Sequence, residues 1–357
     1  MLKVCIIGCG MIAESAHLPA YRSFPKDYAV TAVFDVSEER AKAFAVKNGI
    51  PNAYTDANEM LEIEKPDVVS VCVPNKFHKE YTLKALYKGA NVLCEKPLAV
   101  TYADACEMYD EAEKRGLTLM ACQSMRFTPE RLAAKEYIEE HGIGELCYAE
   151  FSRIRRRGIP YWGTFHIKEW SLGGAMCDIG VHMLDAVIWL LGCPKVESVT
   201  GTAMQNHKYE LGDAISSGIL TGNISSQRSF NPEEMDVEDF ASGTIKLCGG
   251  STINFKTAWA TNLPDSTEIR LVGKESGILL PECKIYRGND NPKELSVKPL
   301  QYDSPFAGHI YIAENLKEVL YGKSEPIIKS EETKTVSAIL EMFYRSSGLG
   351  KEVGFDM

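Results

Sequence analysis

The sequence predicts an α/β domain with a doubly wound parallel sheet, followed by an α+β domain with a large, mostly antiparallel, open sheet. Up to about residue 122, short apolar runs alternate with amphipathic helical segments, which is typical of βαβ units. Beyond that point several strand-like runs follow one another without helices between them, which indicates an antiparallel sheet. The expected domains are therefore residues 1–122 and 123–357.

The elements of the first domain follow from this alternation. The predicted strands are residues 4–7, 29–34, 68–73, 91–94 and 118–122. The predicted helices are residues 12–22, 38–48, 79–88 and 102–115. Right-handed crossovers would wind these strands into a single parallel sheet with helices on both faces.

The second domain is expected to be richer in strands. Its predicted helices are residues 129–141, 174–191, 310–321 and 331–346. Its predicted strands are residues 145–155, 196–204, 238–248, 251–258, 267–272, 277–280 and 284–286. The polar stretch 207–232, rich in Ser, Asn and Gly, is predicted to be a loop region with little regular structure.

Composition narrows the class of partner and compartment. Of 357 residues, 45% are hydrophobic and 25% charged, the balance of a globular protein, and the net charge of −10 disfavours nucleic acid or an anionic membrane. Eleven scattered cysteines without a Cys-x-x-Cys pair indicate a reduced, cytoplasmic protein. We expect neither an export signal nor a membrane span, because the best apolar run, 183–191, is short and contains Asp185.

The strongest local signal is a glycine-rich turn directly after the first predicted strand. Residues 8–13 read G-C-G-M-I-A, the G-x-G-x-x-A pattern of a Rossmann-type dinucleotide site. Gly8 permits the tight turn, Gly10 lets the backbone approach a pyrophosphate, and Ala13 lets the helix pack closely on the strand. The alternative is a glycine turn that binds no ligand.

An acidic residue at the end of the second predicted strand bears on the choice of cofactor. Asp35 lies where the adenosine ribose is expected, and its carboxylate would accept hydrogen bonds from the hydroxyls and repel a 2′-phosphate. NAD is therefore favoured over NADP, although Arg40 is near enough to leave NADP possible. The alternative is that Asp35 only caps the following helix.

Two further motifs lie at the carboxyl ends of predicted parallel strands, the edge where open α/β sheets bind ligands. Residues 73–78 read V-P-N-K-F-H, and residues 95–97 read E-K-P. A lysine held there near a nicotinamide could hydrogen-bond a reacting hydroxyl and favour its loss of a proton. Lys96 is therefore a candidate catalytic residue.

A helical stretch of the second domain carries a second candidate group. At about 100° per residue, Asp178, His182, Asp185 and Trp189 fall on one helix face. A carboxylate beside an imidazole is the arrangement of a tuned acid–base pair. The alternatives are a solvated helix face, a helix cap at Asp178 and a metal site; we expect no metal, because no third ligand stands nearby at a familiar spacing.

Together these motifs resemble the glucose–fructose oxidoreductase, inositol dehydrogenase and rhizopine-catabolism (Gfo/Idh/MocA) family. The resemblance extends from about residue 4 to residue 353, and includes R-F-x-P at 126–129 and G-G-x-x-x-D-x-G-x-H-x-x-D at 173–185. It implies an NAD-binding Rossmann domain and a C-terminal α/β domain whose open sheet often forms the oligomer interface. A homodimer or homotetramer through that sheet is therefore expected.

The resemblance also implies roles for individual residues. His182 matches the family's catalytic histidine, Lys96 its motif lysine, and Asp178 its aspartate on the substrate side. His182 would remove the proton of a secondary hydroxyl while hydride leaves for the nicotinamide, and Lys96 would stabilise the developing alkoxide. The residues expected at the cofactor are Gly8, Gly10, Met11, Ile12, Asp35, Pro74, Asn75, His78, Glu95 and Lys96.

The expected substrate is a sugar, a cyclitol or a sugar derivative. The candidate substrate contacts are Arg126, Tyr161, Trp162, His166 and Asp185. Arg126 has an alternative role as an interdomain salt-bridge partner, and Arg155–Arg157 could meet hydroxyls or a carboxylate or simply snorkel. The histidines expected to take no part, for want of a constellation around them, are His141, His207 and His309.

Three functions fit these residues. The first is an NAD-dependent dehydrogenase acting on a ring hydroxyl. The second is redox-assisted cleavage of a glycoside with tightly bound, recycled NAD, which would show no accumulation of NADH. The third is a non-catalytic, dinucleotide-binding sugar sensor, which the presence of Lys96, Asp178 and His182 disfavours.

Overall fold

A computed structural model describes residues 1–160, 162–206 and 231–355. The N-terminal part forms a six-stranded sheet in the order β3-β2-β1-β4-β5-β6, in which every neighbouring pair is parallel. Its strands are β1 (Leu2–Ile7), β2 (Tyr28–Phe34), β3 (Asn52–Tyr54), β4 (Val68–Val71), β5 (Asn91–Cys94) and β6 (Leu119–Ala121). The predicted doubly wound parallel sheet is confirmed.

Helices cover the two faces of this sheet. They are α1 (Leu18–Arg22), which follows a π-helical turn at Ala13–His17, α2 (Glu38–Asn48), α3 (Ala57–Glu64), α4 (His78–Tyr87) and α5 (Tyr102–Lys114). Neither β3 nor α3 was predicted from the sequence. The start of α3 is set by Asp56, whose carboxylate accepts hydrogen bonds from the N–H groups of Asn58 and Glu59.

The C-terminal part forms a nine-stranded sheet in the order β14-β13-β12-β11-β7-β10-β9-β8-β15. Seven strands are β7 (Leu146–Ile154), β8 (Val196–Met204), β9 (Phe240–Leu247), β10 (Thr252–Ala258), β11 (Ser266–Gly273), β12 (Gly277–Leu280) and β13 (Lys284–Tyr286). The two edge strands, β14 (Lys293–Glu294) and β15 (Val353–Gly354), were not predicted. Among the described strands of this sheet only β7 and β10 pair in parallel, so the expected mostly antiparallel sheet is confirmed.

Helices pack on one face of the nine-stranded sheet. They include α6 (Pro129–His141), α8 (Val181–Leu190) and α10 (Ser330–Leu349). The short α7 (Lys168–Ser171) instead contacts the turn Asn75–Phe77 of the N-terminal part. The stretch predicted as one helix over 174–191 is not uniform, because Met176–Gly180 forms a π-helical turn before α8 begins. The angle of 100° per residue therefore does not hold through Asp178, and the predicted single face is wrong in its detail.

One helix of the C-terminal stretch packs against the N-terminal sheet. Helix α9 (Ala307–Leu320) shares a buried apolar cluster with strand residues of that sheet, among them Val4, Val68 and Leu93. The Tyr28 hydroxyl donates a hydrogen bond to the Ala313 carbonyl at 2.8 Å. The two stretches 1–122 and 123–357 therefore do not build two independent cores.

The cysteines and the apolar helix bear on two earlier expectations. All eleven cysteines carry free thiols, and most are buried. Among the described residues, the helical stretch Lys168–Leu190 is long and apolar enough to cross a membrane by length and composition. However, 83% of its apolar window is buried inside the protein, as in the core helix of a globular domain. Of the predicted loop 207–232, residues 207–230, including His207, lie outside the described residues.

Candidate active site

The glycine-rich turn joins β1 to the first helical segment, as the motif predicts. Gly8 has a φ of +99°, and a Cβ there would lie 2.4 Å from the Cys72 carbonyl oxygen, so only glycine fits. The Gly8 N–H donates to the Phe34 carbonyl at 2.8 Å. Around Gly10, by contrast, a Cβ would meet nothing within 4 Å. Met11 and Ile12 follow in the first helical turn.

The open space at Gly10 yields a test of cofactor binding. Because the space beside Gly10 is empty of protein, Gly10→Ala is expected to leave the thermal midpoint nearly unchanged, while its methyl group obstructs a pyrophosphate. We expect NAD affinity, measured by fluorescence titration, to fall at least about tenfold, or about 1.4 kcal/mol. Gly8→Ala is the contrasting variant, expected to lower the thermal midpoint. Unchanged NAD affinity in Gly10→Ala would remove the turn from the cofactor site.

Asp35 lies beside this turn and is nearly fully buried. Its carboxylate accepts hydrogen bonds from the N–H groups of Cys9 at 3.1 Å and Ser37 at 2.9 Å. The cap of α2 is Ser37, whose hydroxyl accepts from the Arg40 N–H. The Arg40 guanidinium is 3.7 Å from the Asp35 carboxylate. Capping of α2 therefore does not explain Asp35, which instead fixes the glycine turn from the end of β2.

The V-P-N-x-x-H motif follows β4 and connects to both the second domain and the E-K-P turn. The Asn75 side-chain amide donates to the Ser171 carbonyl at 2.6 Å, and Pro74 is exposed next to it. His78 is buried, with its ring nitrogens 2.8 Å from the Pro97 carbonyl and 2.9 Å from the Val73 carbonyl. His78 thus ties the two motifs together, and the expectation that it contacts the cofactor is revised to a bracing role.

Lys96 reaches from the first domain to the second. Its Nζ donates to the Asp178 carbonyl at 2.6 Å and lies 3.2 Å from the Asp178 carboxylate. The other carboxylate oxygen of Asp178 accepts the indole N–H of Trp259 at 2.9 Å. Burial alone would raise the pKa of Asp178, but the charges of Lys96 and Arg155 hold it below its ordinary value. Asp178 is therefore an ionised partner that positions the ammonium group.

His182 lies on α8, one helical turn beyond Asp178. Its Nδ1 is buried and has no hydrogen-bond partner in the part of the chain that the structure describes, although the residue as a whole is only partly buried. Burial, together with the positive charges of Lys96 and Arg153, holds the pKa of His182 well below its ordinary value of 6.5. The imidazole is therefore neutral at neutral pH, the form that can accept a proton.

Arg126 and Asp185 are not placed to meet a substrate. Both are essentially fully buried, and the guanidinium forms two hydrogen bonds with the Asp185 carboxylate, at 2.6 and 2.5 Å. The third guanidinium nitrogen, Nη1, donates a hydrogen bond to the Glu332 carboxylate at the start of α10. Trp189 lies beneath the guanidinium at 5.7 Å from the ring centroid. We therefore revise these two predicted substrate contacts to a structural ion-pair network within the C-terminal stretch.

Glu95 belongs to a buried cluster that the sequence analysis missed. One oxygen of its carboxylate lies 2.9 Å from His17 Nε2 and 3.1 Å from His309 Nε2, and the other accepts the Lys96 N–H. Although burial opposes ionisation, hydrogen bonds from the two histidines hold the pKa of Glu95 well below its ordinary value. The expectation that His309 has no constellation around it is wrong, and Glu95 braces the E-K-P turn rather than facing the cofactor.

This cluster also has the composition of a metal site. The donor atoms of His17, Glu95, Cys122 and His309 lie within 4.8 Å of one another, and all four side chains are buried. Hydrogen bonds already engage the Glu95 carboxylate, both ring nitrogens of His17 and Nε2 of His309, whereas Nδ1 of His309 is buried without a hydrogen-bond partner among the described residues. The expected absence of a metal stays a prediction.

The loop between β7 and α7 carries the remaining substrate candidates. Trp162 is partly buried, 6.5 Å from the Phe165 ring between centroids, whereas His166 is almost fully buried. Tyr161 lies outside the described residues. Trp162 therefore stays a prediction as a substrate contact, and the burial of His166 favours a structural position.

Comparison with known proteins bears on the identity of this site. Residues 2–122 match the model of the oxidoreductase family with an NAD-binding Rossmann fold, and residues 132–279 match the GFO/IDH/MocA C-terminal domain. D-glucoside 3-dehydrogenase of Escherichia coli (strain K12) is 33% identical over 99% of this chain and 97% of its own length. The scyllo-inositol 2-dehydrogenase (NADP(+)) of Bacillus subtilis (strain 168) is 28% identical over 80% of this chain and 84% of its own.

Solved structures share the whole architecture. Levoglucosan dehydrogenase, in complex with NADH and levoglucosan, has a TM-score of 0.80 at 20% identity and covers 100% of both chains. At that identity the likeness shows the fold, and the two family matches together with the 33% identical relative show the kinship. The chain belongs to the GFO/IDH/MocA family of NAD-binding oxidoreductases, and the two relatives compared above are named as dehydrogenases of a glucoside and of an inositol.

Proposed function

We propose that the protein oxidises a secondary hydroxyl of a sugar, a cyclitol or a sugar derivative, with Lys96 and His182 as its catalytic residues. The observation that carries this proposal is the contact of Lys96 with Asp178 across the two domains. It places an ammonium group at the carboxyl edge of the parallel sheet, within electrostatic reach of a neutral imidazole. A cation and a base side by side are what removal of an alcohol proton requires.

The N-terminal turn fits a dinucleotide. Gly8 closes a turn that no other residue fits, Gly10 leaves the approach open, and Asp35 provides a buried carboxylate beside them. These residues would hold the pyrophosphate and the adenosine ribose. Bound NAD supplies a nicotinamide ring that accepts a hydride from the substrate carbon.

Side chains of the protein accept the proton that the substrate hydroxyl loses. His182, neutral at rest, accepts the proton of the substrate hydroxyl as the carbon–oxygen double bond forms. Lys96 donates a hydrogen bond to the same oxygen and stabilises the negative charge that develops there. Asp178 holds Lys96 in place, and the Trp259 indole N–H in turn donates to the Asp178 carboxylate. In the direction of reduction, protonated His182 returns the proton to the oxygen.

This assignment predicts the acid side of the pH profile. Because the pKa of His182 is lowered in the folded protein, protonation should switch off the base only below the ordinary histidine value of 6.5. We therefore expect kcat/KM for oxidation of a non-ionising sugar, measured from pH 5 to 9, to stay on its plateau down to pH 6.5. A fall that is half complete at or above pH 6.5 would contradict the assigned base.

A substrate panel tests the function itself. Sugars and cyclitols are incubated with NAD and, separately, with NADP, and nicotinamide fluorescence is compared with the amount of substrate consumed. We expect reduced cofactor to accumulate one-to-one with product, and NAD to be preferred because Asp35 repels a 2′-phosphate. Product formed without reduced cofactor would instead support redox-assisted glycoside cleavage, which no observation favours at present. Dinucleotide binding with no turnover of any panel member would support a sensor.

We also propose a cytoplasmic, homo-oligomeric protein. Eleven free thiols suit a reducing compartment, since an oxidising one would expose Cys147 and Cys248 to disulfide exchange. Assembly through the nine-stranded sheet is supported by its broad outer face, on which Tyr148, Lys256 and Arg270 are exposed. Sedimentation of the purified protein tests the assembly, and a monomer at micromolar concentration would refute it.

A further inference from the structure

Two arginines at the end of β7 lie on the same side of the sheet as the candidate catalytic groups. Side chains alternate along a strand, so Arg153 and Arg155 share a face with Phe151. Phe151 is buried and stacks on Phe255, with centroids 5.5 Å apart, in the core that also contains α8. Both arginines therefore project from the helix-covered face, not from the exposed face of the sheet.

Their strand neighbours contact the segment that carries Asp178. Arg153 stands opposite Thr257, whose hydroxyl donates to the Ala175 carbonyl at 3.4 Å, just before the π-helical turn. The Arg155 N–H donates to the Ala258 carbonyl at 2.9 Å, next to Trp259, which bonds Asp178. The backbone of both arginines therefore lies next to the segments that form the Lys96–Asp178 contact.

Part of their hydrogen-bonding capacity is unused. Arg153 Nη1 and Arg155 Nε are buried and have no hydrogen-bond partner among residues 1–160, 162–206 and 231–355, although Arg155 Nη1 donates to the Gly158 carbonyl at 3.3 Å. Within the described ranges, neither arginine forms an ion pair within 4.0 Å. Buried guanidinium donors are costly when they are unsatisfied, and they suit planar anionic groups that accept two hydrogen bonds.

The charges around these two arginines also favour an anion, because positive groups outnumber carboxylates there. Lys96, Arg153 and Arg155 bring three positive charges, and Asp178 is the carboxylate that interacts with all of them. Burial and the neighbouring Arg155 lower the pKa of Arg153 to about 10, which still leaves it charged at neutral pH. Glu95 is occupied by the two histidines described above. This cluster of positive charge stands in a chain whose net charge is −10.

We propose that the substrate of this site carries an anionic group, a carboxylate or a phosphate, that Arg153 and Arg155 bind. The inference rests on the proposed function and specifies its substrate class: a sugar acid, a uronoside or a sugar phosphate rather than a neutral sugar. The hydroxyls of a neutral substrate can accept hydrogen bonds, but they leave the excess positive charge of Lys96, Arg153 and Arg155 without a counter-ion. An anion compensates that charge and forms the stronger, charge-assisted hydrogen bonds.

Matched pairs of compounds test this proposal. Methyl glucuronoside is compared with methyl glucoside, galacturonate with galactose, and glucose 6-phosphate with glucose, in steady-state assays of NADH formation. Calorimetric titration of each compound into the enzyme with NADH adds a readout that does not depend on turnover. We expect the anionic member of a reacting pair to have a kcat/KM at least about a hundredfold higher, because a site with buried polar groups discriminates strongly against an analogue that leaves them unpaired.

Variants then assign the preference to the two arginines. In Arg153→Met and Arg155→Met, we expect the ratio of anionic to neutral kcat/KM to fall at least about tenfold, mainly through KM. Arg153→Lys and Arg155→Lys keep the charge and are expected to retain more of the preference, which also covers the case in which a Met variant does not fold. Arg270→Met, on the exposed face of the sheet, is the control and should leave the ratio unchanged.

The outcomes separate this proposal from the function on which it rests. If neutral sugars are oxidised as well as or better than their anionic partners, the anionic substrate class is refuted while the dehydrogenase function stands. If the preference exists but survives in both Met variants, the assignment to Arg153 and Arg155 is refuted. If no member of any pair binds or forms NADH, while the wider panel reacts, the inference again falls alone. If no compound of the pairs or of the wider panel binds or forms NADH, both the anionic substrate class and the dehydrogenase function are refuted.

Discussion

Replacing Lys96 by alanine is expected to lower kcat at least about a hundredfold while NAD still binds, the usual scale for losing a group that acts on the reacting proton. The hydrogen-bond partners of the ammonium group are the carbonyl and carboxylate of Asp178. Because none of them belongs to the glycine turn, the substitution leaves the expected dinucleotide site intact. His182→Ala is expected to lower kcat on the same scale. The measurements are steady-state turnover on a reacting sugar and fluorescence titration with NADH.

The control for this loss is a lysine outside the site. Lys256 lies on the exposed face of the second sheet and pairs only loosely with Glu150, at 3.7 Å, so Lys256→Ala should keep full turnover. Thermal midpoints of all three variants separate loss of chemistry from loss of fold. If Lys96→Ala and His182→Ala both turn over within a few-fold of the unaltered protein, the site assignment fails.

Arg126→Ala is expected to be the most destabilising of the single changes considered. The guanidinium is fully buried between the Asp185 and Glu332 carboxylates, and its removal leaves two carboxylates close together in the protein interior. Breaking a buried ion pair from one side typically costs about 3–5 kcal/mol of the free energy of unfolding. That is a large part of the stability of an ordinary domain. Urea unfolding followed by circular dichroism measures the loss.

Two comparisons isolate the buried network. Arg126→Lys keeps one positive charge but cannot form the two-armed contact with Asp185, so an intermediate loss is expected. Arg270→Ala removes an exposed arginine that pairs with Glu150 and Glu268, and should cost less than about 1 kcal/mol. A loss for Arg126→Ala no larger than that for Arg270→Ala would show that the network contributes little to stability.

The sequence predicted best those features whose cause is local. The glycine turn, the acidic residue after β2 and all strands except β3, β14 and β15 follow from spacing and from short-range hydrophobic patterns. Strand β3 and helix α3 were missed because residues 49–64 mix charged and apolar residues without a clear period. The π-helical turn at Met176–Gly180 was missed because a helical wheel assumes one angle throughout.

Features that depend on distant parts of the chain could not be predicted. Glu95 meets His17 and His309 across separations of 78 and 214 residues, which no local pattern reveals. Arg126 was expected to be either a substrate contact or an interdomain salt-bridge partner, and only its mutual burial with Asp185 identifies an ion pair within the C-terminal stretch. For this ion pair the sequence did contain a signal. Asp185 lies in an otherwise apolar helical segment, and a charged side chain that is buried there needs a counter-ion such as Arg126.

The docking of α9 onto the N-terminal sheet limits what can be done with the cofactor-binding half in isolation. A fragment ending at Cys122 would lack Ile310, Ile312 and Leu316, and would leave the strand side chains beneath them open to water. Such a fragment should aggregate or unfold, so a truncated protein is a poor reagent for measuring dinucleotide affinity. Helix α9, which comes late in the sequence, completes the core of the N-terminal sheet, so we expect the N-terminal and C-terminal parts to unfold together.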